Sequence, residues 1–414
     1  MEAAFFLLKG GRSMPEGATS AGSGLSGDAD TIRAADEAAG RAMSRMGGGR
    51  ADWAVVFATV HHFPAFGPML ETVSAKTGAE KIVGCSGHGV LTEDGEIEDA
   101  PGIAVLAVSS PSLEVFPFLE RPLQSRPEDA ALAIAEEIRP HLPRSGRPGN
   151  AAILLLPDTY HLHPTHFFAS LEGEIEGVPL FGGGASEDGS QGRTYQFYGK
   201  NIESNAVVGM LMTGAVSLDM RMTQACRPLG EPRVVTRAEE NIIYELGGRP
   251  ALESFKEAAG EELAADLRRA VTSVFVGLPM QPDQDEIDRG QYLVRNIMGV
   301  DLDSGAIAIS DESKTGQILT FALREPAGAR EDLMRMSSDL QRDRPDAAFG
   351  LYFNCMARGR GLYGEPDVDS RTLRESLGGV PVAGFFTGSE IAPIQGKTHL
   401  HQYSGILLLV SDAL

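Results

Sequence analysis

Residues 353–367 read FNCMARGRGLYGEPD and close the apolar run AAFGLYF, which sets a thiol (Cys355) and two guanidinium groups (Arg358 and Arg360) where a strand stops. Three kinds of chemistry fit that placement. Cys355 is a candidate nucleophile if the neighbouring arginines lower its pKa. Such a hydrolase or transferase would also need a base and an orienter, for which His401 and Glu390 are the candidates. Alternatively, an arginine beside glycine-rich turns suits bidentate capture of a carboxylate or phosphate. The third possibility is structural, a small cysteine at a buried strand end.

Other polar groups cluster after apolar runs in the same way: His61 and His62; Asp158, His161 and His163; and Asn354 beside Cys355. Glycine-rich turns add Cys85, Ser86 and His88, then Ser186 and Glu187, then Thr387, Gly388, Ser389 and Glu390. In HLHPTH, His161, His163 and His166 match no common zinc spacing, and Asp158 is the nearest carboxylate, so no metal is expected. FGGGASEDG lacks the Gly-Lys-Ser/Thr of a P-loop and the context of a dinucleotide fingerprint, and no cofactor is expected.

These residues need elements to hold them, and the elements come as a repeat. A short apolar strand, a helix, a strand running into glycine and a further apolar strand recur from Ala51, from Asn150 and from Asp346. The first two strands of each unit, joined by a helix, should be parallel, and the third antiparallel. Gly84 and Gly87, Gly182 to Gly184, and Gly384 and Gly388 mark sharp turns or a close approach of something to the backbone. If this holds, the polar groups gather beyond the C-terminal strand ends, where open α/β sheets usually bind ligands.

Helices are expected over 32–46 (closed by Gly47 to Gly49), after a capping box formed by Ser125 and Glu128, from Pro250, and over 330–340. Strands joined by turns at 301–305 and 311–316 lie between the second and third units. The fold expected is mixed α/β: two domains with mixed sheets built from β-α-β-β units and helices packed on them. Residues 1–27 read as a loose N-terminal segment, with Met14 an alternative start to Met1. The first domain spans 28–248, ending at the Gly247–Gly248 pair, and the second spans 249–414.

Composition bounds the function. The 414 residues are 42% hydrophobic and 22% charged, as in a water-soluble globular protein. A net charge of −21 opposes nucleic acid and anionic lipid, and no apolar run is long enough for membrane insertion. Three widely spaced cysteines fit a reducing cytoplasm.

Several blocks resemble the FIST family (F-box and intracellular signal transduction proteins): IVGCSGHGVL, ACRPLGEPRVVT, LVRNIMGVDLDSGAIAIS, and the closing FNCMARGRGLYGEPD with GVPVAGFFTGSEIAPIQGKTHLHQYSG. Cys355, Arg358, Gly359, Gly384, Glu390, Pro393 and His401 occupy its motif positions. Ser389, directly before Glu390, and Ala225 stand where the family usually has glycine. The resemblance implies a sensory module of bacterial signalling that binds a small ligand, with amino acids or other small carboxylates suggested, and that acts through a separate signalling protein. Ligand-binding candidates are then Asn354, Cys355, Arg358, Arg360, Thr387, Gly388, Glu390, His401, Cys85, Ser86 and His88. A Cys355-dependent enzyme is the alternative and a protein–protein scaffold the third reading.

Overall fold

A computed structural model describes residues 18–143, 149–280 and 292–413. The repeat expected from the sequence is present three times. Lead strands Trp53–Thr59, Ala151–Pro157 and Phe349–Cys355 are followed by helices Phe66–Thr77, Pro164–Glu174 and Val368–Leu377. Second strands Lys81–Gly87, Leu180–Gly183 and Val382–Thr387 then pair parallel to them. Third strands Ile103–Ser109, Val207–Gly214 and Ser404–Asp412 return antiparallel on the other side of each lead strand. The fold is mixed α/β, with helices packed on mixed sheets.

Each unit also sends out a hairpin that completes a neighbour's sheet. The hairpin of the second unit pairs with Lys81–Gly87 of the first. That of the third pairs with Leu180–Gly183 of the second, and that of the first with Val382–Thr387 of the third. The three sheets therefore close into a ring.

Alternate residues of the lead strands face a shared apolar centre: Trp53, Val55 and Phe57; Ala152, Leu154 and Leu156; Phe349, Leu351 and Phe353. Phe57 stacks on Phe385 with 4.8 Å between ring centroids, and Phe353 reaches Phe57, Phe385 and Phe181 edge-on or tilted. The outward faces lie under helices in separate apolar layers. Both faces being buried explains why the strands read as unbroken apolar runs.

The glycines that open the turns have a common cause. A Cβ built on Gly84, Gly182 or Gly384 would lie 1.8, 2.0 or 1.7 Å from the carbonyl oxygen of Val56, Leu155 or Tyr352. The group approaching each glycine is thus the adjacent lead strand, not a ligand.

Several expectations change. Residues 20–26 are not loose, since Ser20–Ser26 forms an outer strand against Ile103–Ser109; residues 1–17, with both start methionines, lie outside the described residues. Ser125 caps no helix. The helix is Pro127–Ile138, begun by a proline. Ile32 is 56% exposed, and the buried face of helix Thr31–Met46 is mostly alanine, packed on Gly22 and Gly24. Gly247 and Gly248 have φ of 58° and 77° and turn a hairpin between Ile242–Leu246 and Arg249–Pro250.

The inserted sheet runs from Cys226 to Arg324, which pair with each other where the chain enters and leaves. It separates the third unit's outer strand, Val216–Gln224, from its following helix, Pro326–Asp343, and has its own apolar core around Val235, Phe255, Val276 and Phe321.

Gly384→Ala should destabilise the protein in urea unfolding by about 3 kcal/mol, because backbone rather than a flexible side chain blocks the added methyl. Gly361→Ala, with open space around its Cβ position, should change stability little; equal effects would refute the close-approach account.

Candidate functional site

Thr59, Asp158 and Cys355 stand at corresponding positions, each three residues beyond the carbonyl that crowds the second-strand glycine. Their side chains do the same thing. Thr59 Oγ1 accepts from the Gly102 N–H at 3.0 Å, Asp158 Oδ2 from the Asn205 N–H at 2.7 Å, and Cys355 Sγ from the Tyr403 N–H at 3.3 Å. Asn205 and Tyr403 are left-handed, with φ of 52° and 60°. In each unit the lead-strand end pins the turn that starts the returning strand.

Cys355 is buried, and burial, then the nearby Glu390, pushes its thiol up, opposite to a nucleophile's requirement. Glu390 is fully buried. Its carboxylate accepts from the hydroxyls of Thr387 and Ser404, both at 2.6 Å, and burial raises its pKa to about 7. His401 does not serve Cys355: its Nε2 lies 3.0 Å from the Ala392 carbonyl oxygen, and burial lowers its pKa to about 4.

Arg358 does bind an anion, but that anion is the chain's own Asp369. Nε and one terminal nitrogen donate to Asp369 at 3.0 and 3.2 Å, and that nitrogen also donates to the Tyr363 hydroxyl at 2.7 Å. Both charges of this pair are fully buried, so Arg358 is a cross-link rather than a ligand anchor. Arg360 is exposed and contributes its N–H to Glu98 at 3.0 Å. The buried Asn354 Oδ1 accepts from the Tyr352 hydroxyl at 3.3 Å.

The glycine turns do converge, but on one another. Ser186 donates its N–H to Ser86 O, accepts the His88 N–H at its hydroxyl, and donates that hydroxyl to Phe386 O. Gly184 and the Gly388–Ser389 segment exchange backbone hydrogen bonds. Cys85 lies in the central apolar core. The strand ends are thus filled by their own backbone. The histidines of HLHPTH diverge, His161 to Asp158 and His166 to Glu128.

A cleft opens nearby, along the seam between ring and inserted sheet, with a volume of about 390 Å³. The ring supplies Thr165, Phe168 and Glu172 of helix Pro164–Glu174, with Ser389, Lys397 and His399 of the third unit; the inserted sheet supplies Leu293, Arg295, Ser310 and Asp311. Sequence reasoning missed all of these as a site except Ser389, noted among the turns. Lys397, Arg295 and Asp311 carry no local motif, because three distant segments have to fold together before they meet.

Two family models match the chain, the FIST N domain over residues 52–249 and the FIST C domain over 251–393. The chain belongs to the FIST family. FIST domains are generally sensory domains of signal transduction. Uncharacterized proteins of Mycobacterium tuberculosis and Mycobacterium bovis are each 31% identical over 395 residues, covering 94% of this chain and 99% and 98% of theirs. Among solved structures, cyanuric acid hydrolase from A. caulinodans matches 48% of this chain and 72% of its own at 11% identity, with a TM-score of 0.29. Of the FIST motif positions, Gly384 makes room for a lead-strand carbonyl, Cys355 pins a turn, and Arg358 holds Asp369.

Two outcomes follow for the FIST motif. A thiol reagent such as DTNB should label Cys85, Cys226 and Cys355 only as the protein unfolds, since all three are buried; rapid native labelling of Cys355 would contradict the turn-pinning role. Glu390, raised from 4.5 to about 7, contributes stability that is full below pH 4.5 and is lost as pH rises to about 7. Glu390→Gln removes that dependence, so its stability relative to wild type should improve by up to roughly 3 kcal/mol across this window. Parallel urea-unfolding profiles from pH 4.5 to 8 would exclude it.

Proposed function

We propose that this protein is a small-ligand sensory protein of signal transduction that takes its ligand into the seam cleft and acts through a separate protein partner. The observation that carries this reading is that the cleft has one wall from the ring, with Phe168 and Leu400, and one from the inserted sheet, with Leu293 and Arg295. A molecule seated there touches both bodies at once, so occupancy alters how they hold together. Pockets of this size, with a few fixed polar groups, suit small metabolites. Amino acids and other small carboxylates are the ligand class that the family resemblance brings to the site. Among the described residues no helix is long and apolar enough to cross a membrane, and the widely spaced thiols fit action in the cytoplasm.

The cysteine-enzyme alternative loses support from the buried, unactivated thiol. A scaffold role draws support from the filled strand ends, whereas the open seam favours the sensor.

Differential scanning fluorimetry against a panel of amino acids and small carboxylates tests the reading. A cleft ligand at a hundredfold excess over Kd should add about 2.7 kcal/mol of stability. Hydrogen exchange should then slow in residues 292–295, 307–311 and 397–402. Stabilisation with protection confined to other segments would place the site elsewhere, and no stabilisation by any compound would count against the function.

A further inference from the structure

We infer that the ligand carries an oxyanion, a carboxylate or a phosphate, which Arg295 of the inserted sheet and Lys397 of the third unit's hairpin grip together, so that binding clamps the inserted sheet onto the ring. The inference rests on the seam cleft being the ligand site.

The first support is the charge arrangement. Arg295 is largely buried, its side chain 12% exposed. Its Nε donates to Asp311 at 2.6 Å and one terminal nitrogen to the Val294 carbonyl at 2.9 Å. The other terminal nitrogen has no hydrogen-bond partner among the described residues. On the opposite wall Lys397 has no ion-pair partner among the described residues. Of the cleft's two carboxylates, Asp311 is ion-paired with Arg295 and accepts the Glu312 N–H, and Glu172 accepts the Thr398 N–H at 2.7 Å. Unspent donor capacity thus comes from both bodies and carries positive charge. An oxyanion is the group that matches it.

His399 also lines the cleft; burial lowers its pKa, the charges of Lys397 and Arg295 push the same way, and Glu172 and Asp311 push against them. Its Nε2 is buried without a partner.

The second support is mechanical. The seam is pinned at Tyr403, whose hydroxyl reaches Asn296 and whose ring lies 4.3 Å from Phe275. Beside the cleft the cross-seam bonds are long: Arg295 to the Leu400 carbonyl at 3.4 Å, and Asn296 to the Gln402 side chain at 3.5 Å. Bonds at that limit are weak. An anion seated between Arg295 and Lys397 adds charge-assisted hydrogen bonds to both walls, where the existing cross-seam bonds are long.

Calorimetric titration with small carboxylates, small phosphate esters and their neutral amide or alcohol analogues tests the inference. Hydrogen exchange over 292–311 is read in parallel. Anionic compounds should bind, the carboxylate and phosphate arms showing which oxyanion is preferred, and should slow exchange in that segment. Neutral analogues, and Lys397→Gln with the anions, should be weaker by about tenfold or more, and Lys397→Arg should retain binding. If neutral analogues bind as tightly, or Lys397→Gln changes nothing while protection still maps to the cleft, the oxyanion clamp is overturned and the seam site stands. If no compound binds, or protection maps elsewhere, both fall.

Discussion

The ring rests on the exchange of hairpins. Each second strand has its lead strand on one side and needs a partner on the other, and a neighbouring unit supplies it. An unpaired strand edge there would expose backbone donors and acceptors beside an apolar face. The exchange satisfies them and carries the chain around the central core, so the units are not separable modules. It also explains the burial of Glu93, which sits on the first unit's hairpin. Its carboxylate accepts the Val382 N–H of the third unit at 2.8 Å while Ser23 of the first unit donates to it.

Much of this architecture was legible in the sequence, because both faces of each lead strand are buried and the run stays apolar along its whole length. The parallel second strand and antiparallel third strand followed from the lengths of the connections between them. What could not be read was which unit each hairpin serves, since that register joins residues such as Phe385 and Val90, far apart in the chain. The outer strand Val216–Gln224 was also passed over. Val216, Leu218, Met220 and Met222 alternate with polar residues as a half-buried strand does, but the inserted sheet separates this strand from the helix of its own unit. The Gly247–Gly248 pair turns a hairpin, and the division expected there coincides with the junction of the two FIST matches.

The thiol of Cys355 shows how a structural position can look chemical. In the sequence it has Arg358 and Arg360 close by, with Glu390 and His401 as candidate partners further along the chain. Set beside Thr59 and Asp158, it is one of three side chains doing one job with three different acceptor atoms. A hydroxyl, a carboxylate and a thiol have little in common as catalysts, but each can accept one backbone N–H. The comparison needs the internal repeat aligned residue by residue, and the crowded glycines Gly84, Gly182 and Gly384 supply that alignment only once the lead-strand carbonyls are placed.

The same geometry fills the strand ends, which is why the proposed ligand site lies at the seam. In an open parallel sheet those ends face a crevice because nothing returns across them. Here each sheet is mixed, and a strand turns back beside every lead strand. Ser186 and the neighbouring glycine turns then use up the backbone groups that would otherwise face a ligand. An open cleft remains at the seam of the two bodies, beside the apolar contacts that Ile394 and Tyr403 of the ring make with the inserted sheet. The inserted sheet creates that seam by interrupting the third unit between its outer strand and its helix. Because Cys226 and Arg324 pair where the chain enters and leaves, it stays attached through adjacent strands. A sheet tied at one end and held by long bonds beside the cleft is the part placed to respond to the proposed ligand, whereas the ring is closed through its hairpins.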